Sequence, residues 1–288
     1  MDGSQEVVFT SKFKEEPLHE DDEDPEFVHA FNAYGAAGEP LYRLHRLKTL
    51  GSGSDHAPFA FYGGIPSLNV AFGTDRNKYD ISSYPFYHTG YETFYMVDTF
   101  VDPGFRIMQG CGRLAALFLK YFADSALIPY SLQQLSRAIE ENLNKVKDKG
   151  KGATLLEIYD KFPLLEESAH NFTTATAIFA QKLDSVKDTL DPVMLRAVND
   201  QMMKLEQVFI MPRGLPGRPT IRHAIFAPSQ FDSYAAAGFP GISDLLYKIG
   251  DLQEEELIKR QKEIRRHISD LTILLQKASG FLEDFNLI

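Results

Sequence analysis

Residues 257–282 read LIKRQKEIRRHISDLTILLQKASGFL. Leu257, Ile264, Leu271 and Ala278 recur every seven residues, and Ile268, Leu275 and Leu282 form a second row four residues on. Two adjacent apolar rows at this spacing predict one long helix that packs along its whole length. A surface helix ordinarily needs a single stripe. The second row therefore predicts a seam for a partner, centred on Leu271 and Leu275, and a two-fold homodimer.

The sequence before it is helical as well, with clear punctuation. Ser131 and Gln134 form a capping-box pattern ahead of the stripe Leu132, Leu135, Ile139, Leu143 and Val146, which Gly150 and Gly152 close. Leu165, Ala169, Phe172, Thr176, Phe179, Leu183 and Val186 alternate at four and three residues. Asp191-Pro192 is a capping residue followed by proline at the first helical position, and Leu195, Val198, Met202 and Leu205 follow. Residues 126–288 thus read as an all-α bundle.

Residues 49–125 have a mixed α/β texture. Asp55 to Tyr62 suits a short helix, and Ser67 to Phe72 alternates like a buried strand. Gly73 to Thr93 is a long loop rich in Tyr, Ser, Pro and His. Asp102-Pro103 then predicts a helix running to about Ala123. Residues 1–48 read as an acidic, poorly ordered lead-in. Glu15, Glu16, Glu20, Asp21, Asp22, Glu23, Asp24 and Glu26 stand there with no Lys or Arg between them.

Hydrophobic residues make up 44% of the 288 and charged residues 24%, the mix of a folded protein. The net charge is −10, and the acidic run holds most of that excess. The remainder is nearly neutral, so no surface suits a phosphate backbone and no nucleic-acid partner is expected. Cys111 is the sole cysteine, which excludes an intramolecular disulfide and a Cys-rich zinc module. Met1-Asp2-Gly3-Ser4 has none of the basic-then-apolar texture of a signal peptide, and no apolar run approaches the length of a membrane span.

Two places could carry chemistry. His88 lies in Tyr84-Pro85-Phe86-Tyr87-His88-Thr89, beside Tyr87, whose hydroxyl could donate to an oxyanion. A lone loop histidine is ordinarily a hydrogen-bonding surface or core residue. A zinc ion needs three or four protein ligands, and the chain has no HExxH and no other spaced His pair. The second place is Gly51-Ser52-Gly53-Ser54-Asp55-His56-Ala57-Pro58-Phe59. Gly53 permits close approach of backbone to a ligand, and Asp55 could cap the next helix or brace a residue of a metal site. It also reads simply as a turn and cap. Asn171-Phe172-Thr173 is a glycosylation sequon on a stripe-bearing helix.

GSGSDHAPF, then YPFYHTGYET at 84–93, then Phe100-Val101-Asp102-Pro103 resemble the C-terminal half of the catalytic domain of glutamate carboxypeptidase II and its N-acetylated-alpha-linked acidic dipeptidase-like relatives. Asn199-Asp200-Gln201-Met202 with Leu205-Glu206, Gly214-Leu215-Pro216 with Arg218-Pro219, and His223 are similar to the dimerisation domain that this family shares with transferrin receptors. So are Ala227-Pro228-Ser229 and Phe239-Pro240-Gly241-Ile242. The resemblance covers residues 49–283.

It implies an α/β fragment of a zinc-peptidase domain over 49–125, followed by a helical dimerisation domain over 126–288. The family's peptidases use two zinc ions bridged by a carboxylate, with a Glu as general base. By position, His88 matches the last zinc ligand and Tyr87 a tyrosine that stabilises the tetrahedral intermediate. Tyr234 matches a tyrosine holding the substrate's terminal carboxylate, and Ser54 falls where the carboxypeptidase has a pocket asparagine. Asn69 and Ala71 replace two arginines that read acidic side chains, and Ser233 replaces a lysine that reads a C-terminal glutamate. A small peptide of general, more apolar character is therefore the expected substrate.

The family's other four zinc ligands and its Glu base precede the GSGS motif, and residues 1–48 offer no candidate for them. One histidine cannot hold two zinc ions. The chain is expected to be the C-terminal portion of such a peptidase, from a truncated or mis-assembled gene product. Alone, it should be inactive and hold zinc weakly. The competing reading is a non-catalytic receptor or dimerisation module of the transferrin receptor type. Either implies an ectodomain at the plasma membrane or outside the cell.

Overall fold

The computed structural model describes residues 6–10, 47–48, 50–73, 85–151, 161–232 and 236–283. The acidic run, Tyr84, Ser233 and Tyr234 lie outside the described residues. The chain divides into two compact units. One draws on Met1–Lys48 and Asn69–Ser125, the other on Thr49–Leu68 and Ala126–Ile288.

The first unit contains a small sheet in which β1 (Glu6–Thr10) is central. It pairs in parallel with β2 (Leu47–Lys48) and antiparallel with β3 (Asn69–Gly73). Phe9 faces Leu47 across one edge and Val70 across the other. Two strands thus come from the segment read as a poorly ordered lead-in. EVVFT is β-branched and aromatic, a composition that suits a pleated surface.

Helix α1 (Arg106–Asp124) lies on β3. Ile107, Cys111, Leu114, Phe118 and Phe122 are its more buried positions, at spacings of four and three, and the Cys111 Sγ–H donates to the Val70 carbonyl at 3.8 Å. The helix starts later than Asp102-Pro103 predicts. Gly104 and Phe105 both turn left-handed first, at φ 72° and 56°. The Asp102 carboxylate nevertheless caps the helix across that turn, accepting from the backbone N–H of Ile107 at 3.0 Å and of Met108 at 2.9 Å. Burial works to raise its pKa, but the N–H groups of Ile107, Met108 and Arg106 outweigh it and leave it below the ordinary value.

One step round α1 from that stripe lie Met108, Ala115 and Leu119, all exposed, with Leu117 exposed on the stripe's opposite flank. Leu119 is 72% exposed and Met108 51%. The apolar arc of α1 is far wider than the strip that β3 covers.

The second unit is the helical bundle. It comprises α2 (Leu132–Lys151), α3 (Phe162–Val186), α4 (Pro192–Val208), α5 (Pro240–Leu246) and α6 (Glu254–Glu283). A two-stranded ribbon joins them, with β4 (Phe226–Pro228) antiparallel to β5 (Ala236–Gly238). The predicted caps hold. Ser131 Oγ accepts from the Gln134 N–H at 3.3 Å, and Asp191 Oδ1 accepts from both Val193 and Met194 at 2.8 Å. The most extensive helix contact is α3 on α6.

From Ile264 onward both apolar rows of α6 are consumed inside this bundle, while Leu257 is half-buried. Ile264, Ile268, Leu271, Leu275 and Ala278 are wholly buried within one chain, and Leu282 nearly so. The expectation that Leu271 and Leu275 form a free seam for a second copy is therefore corrected. α6 runs between α3 and the α4–α5 side, so it needs an apolar surface on two sides.

Residues 50–68 belong to this second unit. Leu50, Ala60 and Phe61 form a core cluster with Leu215 and Ala227, against which Ala57, Met211 and Ile221 pack. Residues 56–62 make a short helical turn, as expected, and its Pro58–Tyr62 part has no side-chain cap at Ala57.

Candidate active site

The first cluster of candidate residues lies in the first unit. Residues 85–93 make a succession of tight turns tied by threonines. The Thr89 hydroxyl donates to the Phe86 carbonyl at 2.7 Å and accepts from the Tyr91 N–H at 3.2 Å. The Thr93 hydroxyl accepts from the Met96 N–H and so caps the turn that follows. His88 sits in the left-handed region, at φ 61°. That conformation is uncommon for a residue with a side chain and calls for a local restraint. Glu92 supplies it, for its Oε2 accepts from the His88 backbone N–H at 2.9 Å.

The Tyr87 ring stacks on the His88 imidazole, with centroids 3.8 Å apart and planes 21° apart. Both side chains are exposed. The geometry offers a solvent-facing imidazole, held beside a phenol, on a braced backbone. Such a pair suits a metal ligand next to a hydrogen-bond donor. Glu92 was missed in the sequence, because its link to His88 runs through backbone within a loop and leaves no periodic signature.

Asn69 and Ala71 lie two residues apart on β3, opposite Thr10 and Val8 of β1. Gly53, Ser54 and Asp55 lie together in the second unit, all exposed. Two buried residues bracket them, Leu50 before and Phe61 after. His56 closes the loop, its Nε2 lying 2.6 Å from the Gly51 carbonyl oxygen. Among the described residues no three His, Cys, Asp or Glu side chains come together as a metal site. No described helix is long and apolar enough to cross a membrane.

The transferrin receptor-like dimerisation domain matches residues 154–283, which covers α3 to α6. Relatives extend the match to most of the chain. The rat aminopeptidase NAALADL1 is 31% identical over 252 residues, covering 87% of this chain and 33% of its own length. By these matches the chain resembles the glutamate carboxypeptidase II-like, transferrin receptor-like family. Within that family, a glutamate carboxypeptidase 2 homolog of Caenorhabditis elegans is 26% identical over 245 residues, or 80% of this chain and 30% of the relative. A probable glutamate carboxypeptidase of Arabidopsis thaliana, LAMP1, is 26% identical over 196 residues, or 68% and 26%. The chain thus spans a third or less of the length of these curated relatives.

Proposed function

We propose that the chain is the C-terminal portion of a dinuclear zinc exopeptidase acting on small peptides, and that its helical domain forms a two-fold homodimer. The similarity to peptidases across most of the chain carries this reading. The wide apolar arc of α1, bare over Met108, Ala115, Leu117 and Leu119, supports it further, because a helix apolar around half its girth belongs inside a larger layered domain. His88 is the proposed zinc ligand and Tyr87 the donor to the tetrahedral intermediate. Gly53 and Ser54 line the substrate pocket, Asp55 braces the metal site, and Tyr234 with Ser233 faces the substrate's terminal carboxylate.

The described residues do not by themselves fit a pair of zinc ions. Among the described residues, no cluster of three or more His, Cys, Asp or Glu side chains includes His88. The 288-residue chain on its own is therefore proposed to be inactive, with its reaction requiring the ligands and base of an upstream segment. An ectodomain at the plasma membrane or outside the cell is the proposed location.

Neutral peptides are the proposed substrates. Asn69, Ala71 and Ser233 stand in place of three cationic side chains, and each lost charge-assisted hydrogen bond weakens carboxylate binding by about 1.5–3 kcal/mol. The test is a chimera that places the upstream two-thirds of a relative before residue 49. It should cleave neutral dipeptides faster than N-acetyl-aspartyl-glutamate, and the opposite preference overturns the substrate reading. Equilibrium dialysis that finds two tightly held zinc ions on the 288-residue chain overturns the incompleteness reading. The competing reading, a non-catalytic dimerisation module, draws on the family match to α3–α6 and predicts a chimera that dimerises without turnover.

A further inference from the structure

The second unit buries one carboxylate–imidazole pair in an aromatic core. Glu206, in the last turn of α4, and His223 are both almost inaccessible, and Glu206 Oε2 lies 2.7 Å from His223 Nε2. The tautomer follows from the other ring nitrogen. His223 Nδ1 accepts from the backbone N–H of Phe226 at 3.1 Å and of Ile225 at 3.3 Å, so it carries no proton. The proton is on Nε2 and is donated to a carboxylate. That charge is felt nearby, since burial first and the Glu206 charge second push Tyr130 up to about 12.

A buried polar pair of this kind is poor evidence of stability, because apolar residues of similar volume usually do as well. Its value lies in direction. The His223 backbone N–H donates to the Phe61 carbonyl at 2.9 Å, and the Arg222 N–H donates to the same oxygen at 2.7 Å. Gly64, at φ 64°, then passes so close to α4 that a Cβ there would stand 3.0 Å from the Glu206 carbonyl oxygen. Ring, carboxylate and carbonyl thus fix where the 56–64 segment crosses the end of α4. That segment ends the loop Gly51–Asp55, whose other end is the buried Leu50.

We infer that Glu206 and His223 are positioning residues that orient the Gly51–Asp55 loop from within the helical unit. The inference rests on the reading of Gly53 and Ser54 as substrate-lining residues, but its first test does not. Amide hydrogen exchange on the intact 288-residue chain compares wild type with E206L and E206Q. E206L strands the His223 Nε2 proton and should speed exchange at residues 51–63 at least tenfold, with helices 162–186 and 254–283 unchanged. E206Q keeps an acceptor and should restore slow exchange. Where E206L fails to fold, E206L/H223F removes both polar groups and should give the same local loosening. A folded variant with wild-type exchange at 51–63, or one that loosens every helix equally, overturns the inference. In the chimera above, E206L should raise KM for a neutral dipeptide several-fold more than it lowers kcat. A chimera that turns nothing over counts against the peptidase reading alone, while the exchange result stands.

Discussion

Gly241 lies directly beneath the His267 imidazole, so that a methyl group on its Cα would overlap the ring at Nε2. The contact joins the first turn of α5 to the middle of α6, and both residues are buried. Gly241→Ala should therefore destabilise the helical unit by about 1–3 kcal/mol, the usual range for overpacking a rigid site. Gly280, on the same α6, meets nothing within 4 Å of an added Cβ. Gly280→Ala should stabilise the unit by about 0.5–1 kcal/mol through helix propensity. Urea titrations of the two variants should move the midpoint in opposite directions.

The same histidine sets the acid response. His267 Nε2 has no hydrogen-bond partner among the described residues, and burial lowers the pKa of the ring to about 4. A folded-state value below the unfolded one means that the unfolded chain binds the proton more readily. Stability should thus be complete above about pH 6.5 and decline from there down to about 4, by roughly 3 kcal/mol in all. Asp102 and Asp200, both depressed, add their own losses only further down, through the carboxylate range. His267→Phe should flatten the fall between pH 6.5 and 4 without removing the deeper one. An unaltered slope in denaturant midpoints across that window counts against this assignment.

Leu271→Asp should unfold the chain rather than dissociate a dimer. The side chain is fully buried within one protomer, and a charge placed there has no partner among the described residues. The loss should exceed about 3 kcal/mol. Far-ultraviolet circular dichroism would show lost helix, whereas light scattering that found a fully helical monomer would restore the seam to the partner.

Asp191→Ala should lower stability by about 1 kcal/mol. Its carboxylate satisfies two of the first N–H groups of α4, and Pro192 removes the need for another. Asp191→Asn should recover most of the loss in thermal melts, because the cap needs an acceptor more than a charge.

Helices with local signals were legible in the sequence. Ser131 and Asp191 mark their helices because a cap acts within three residues, and the α6 rows declare burial by spacing alone. Spacing does not say what does the burying, so Leu271 and Leu275 were assigned to a second copy when α3 and the α4–α5 side cover them. The start of α1 was misplaced because Asp102 caps across a left-handed Gly104-Phe105 turn, five and six residues away. At the candidate site, Tyr87 and His88 were found as neighbours in the sequence, and the structure adds their stacking. Glu92 escaped notice because it acts on the His88 backbone N–H, and the His223–Phe61 link because it joins two backbone groups; the Glu206–His223 pair joins side chains 17 residues apart, a separation with no periodic signature.

The helical unit is discontinuous along the chain, because Leu50, Ala60 and Phe61 complete a core whose other members are Leu215 and Ala227. A ribosome releases the first of these pieces roughly 150 residues before the second, at a rate of about 5–20 residues per second. For that interval the apolar faces of Phe61 and Leu50 wait without their partners. The unit can close only after Leu215 and Ala227 have been made, and its early piece is the stretch of the nascent chain with most reason to engage a chaperone.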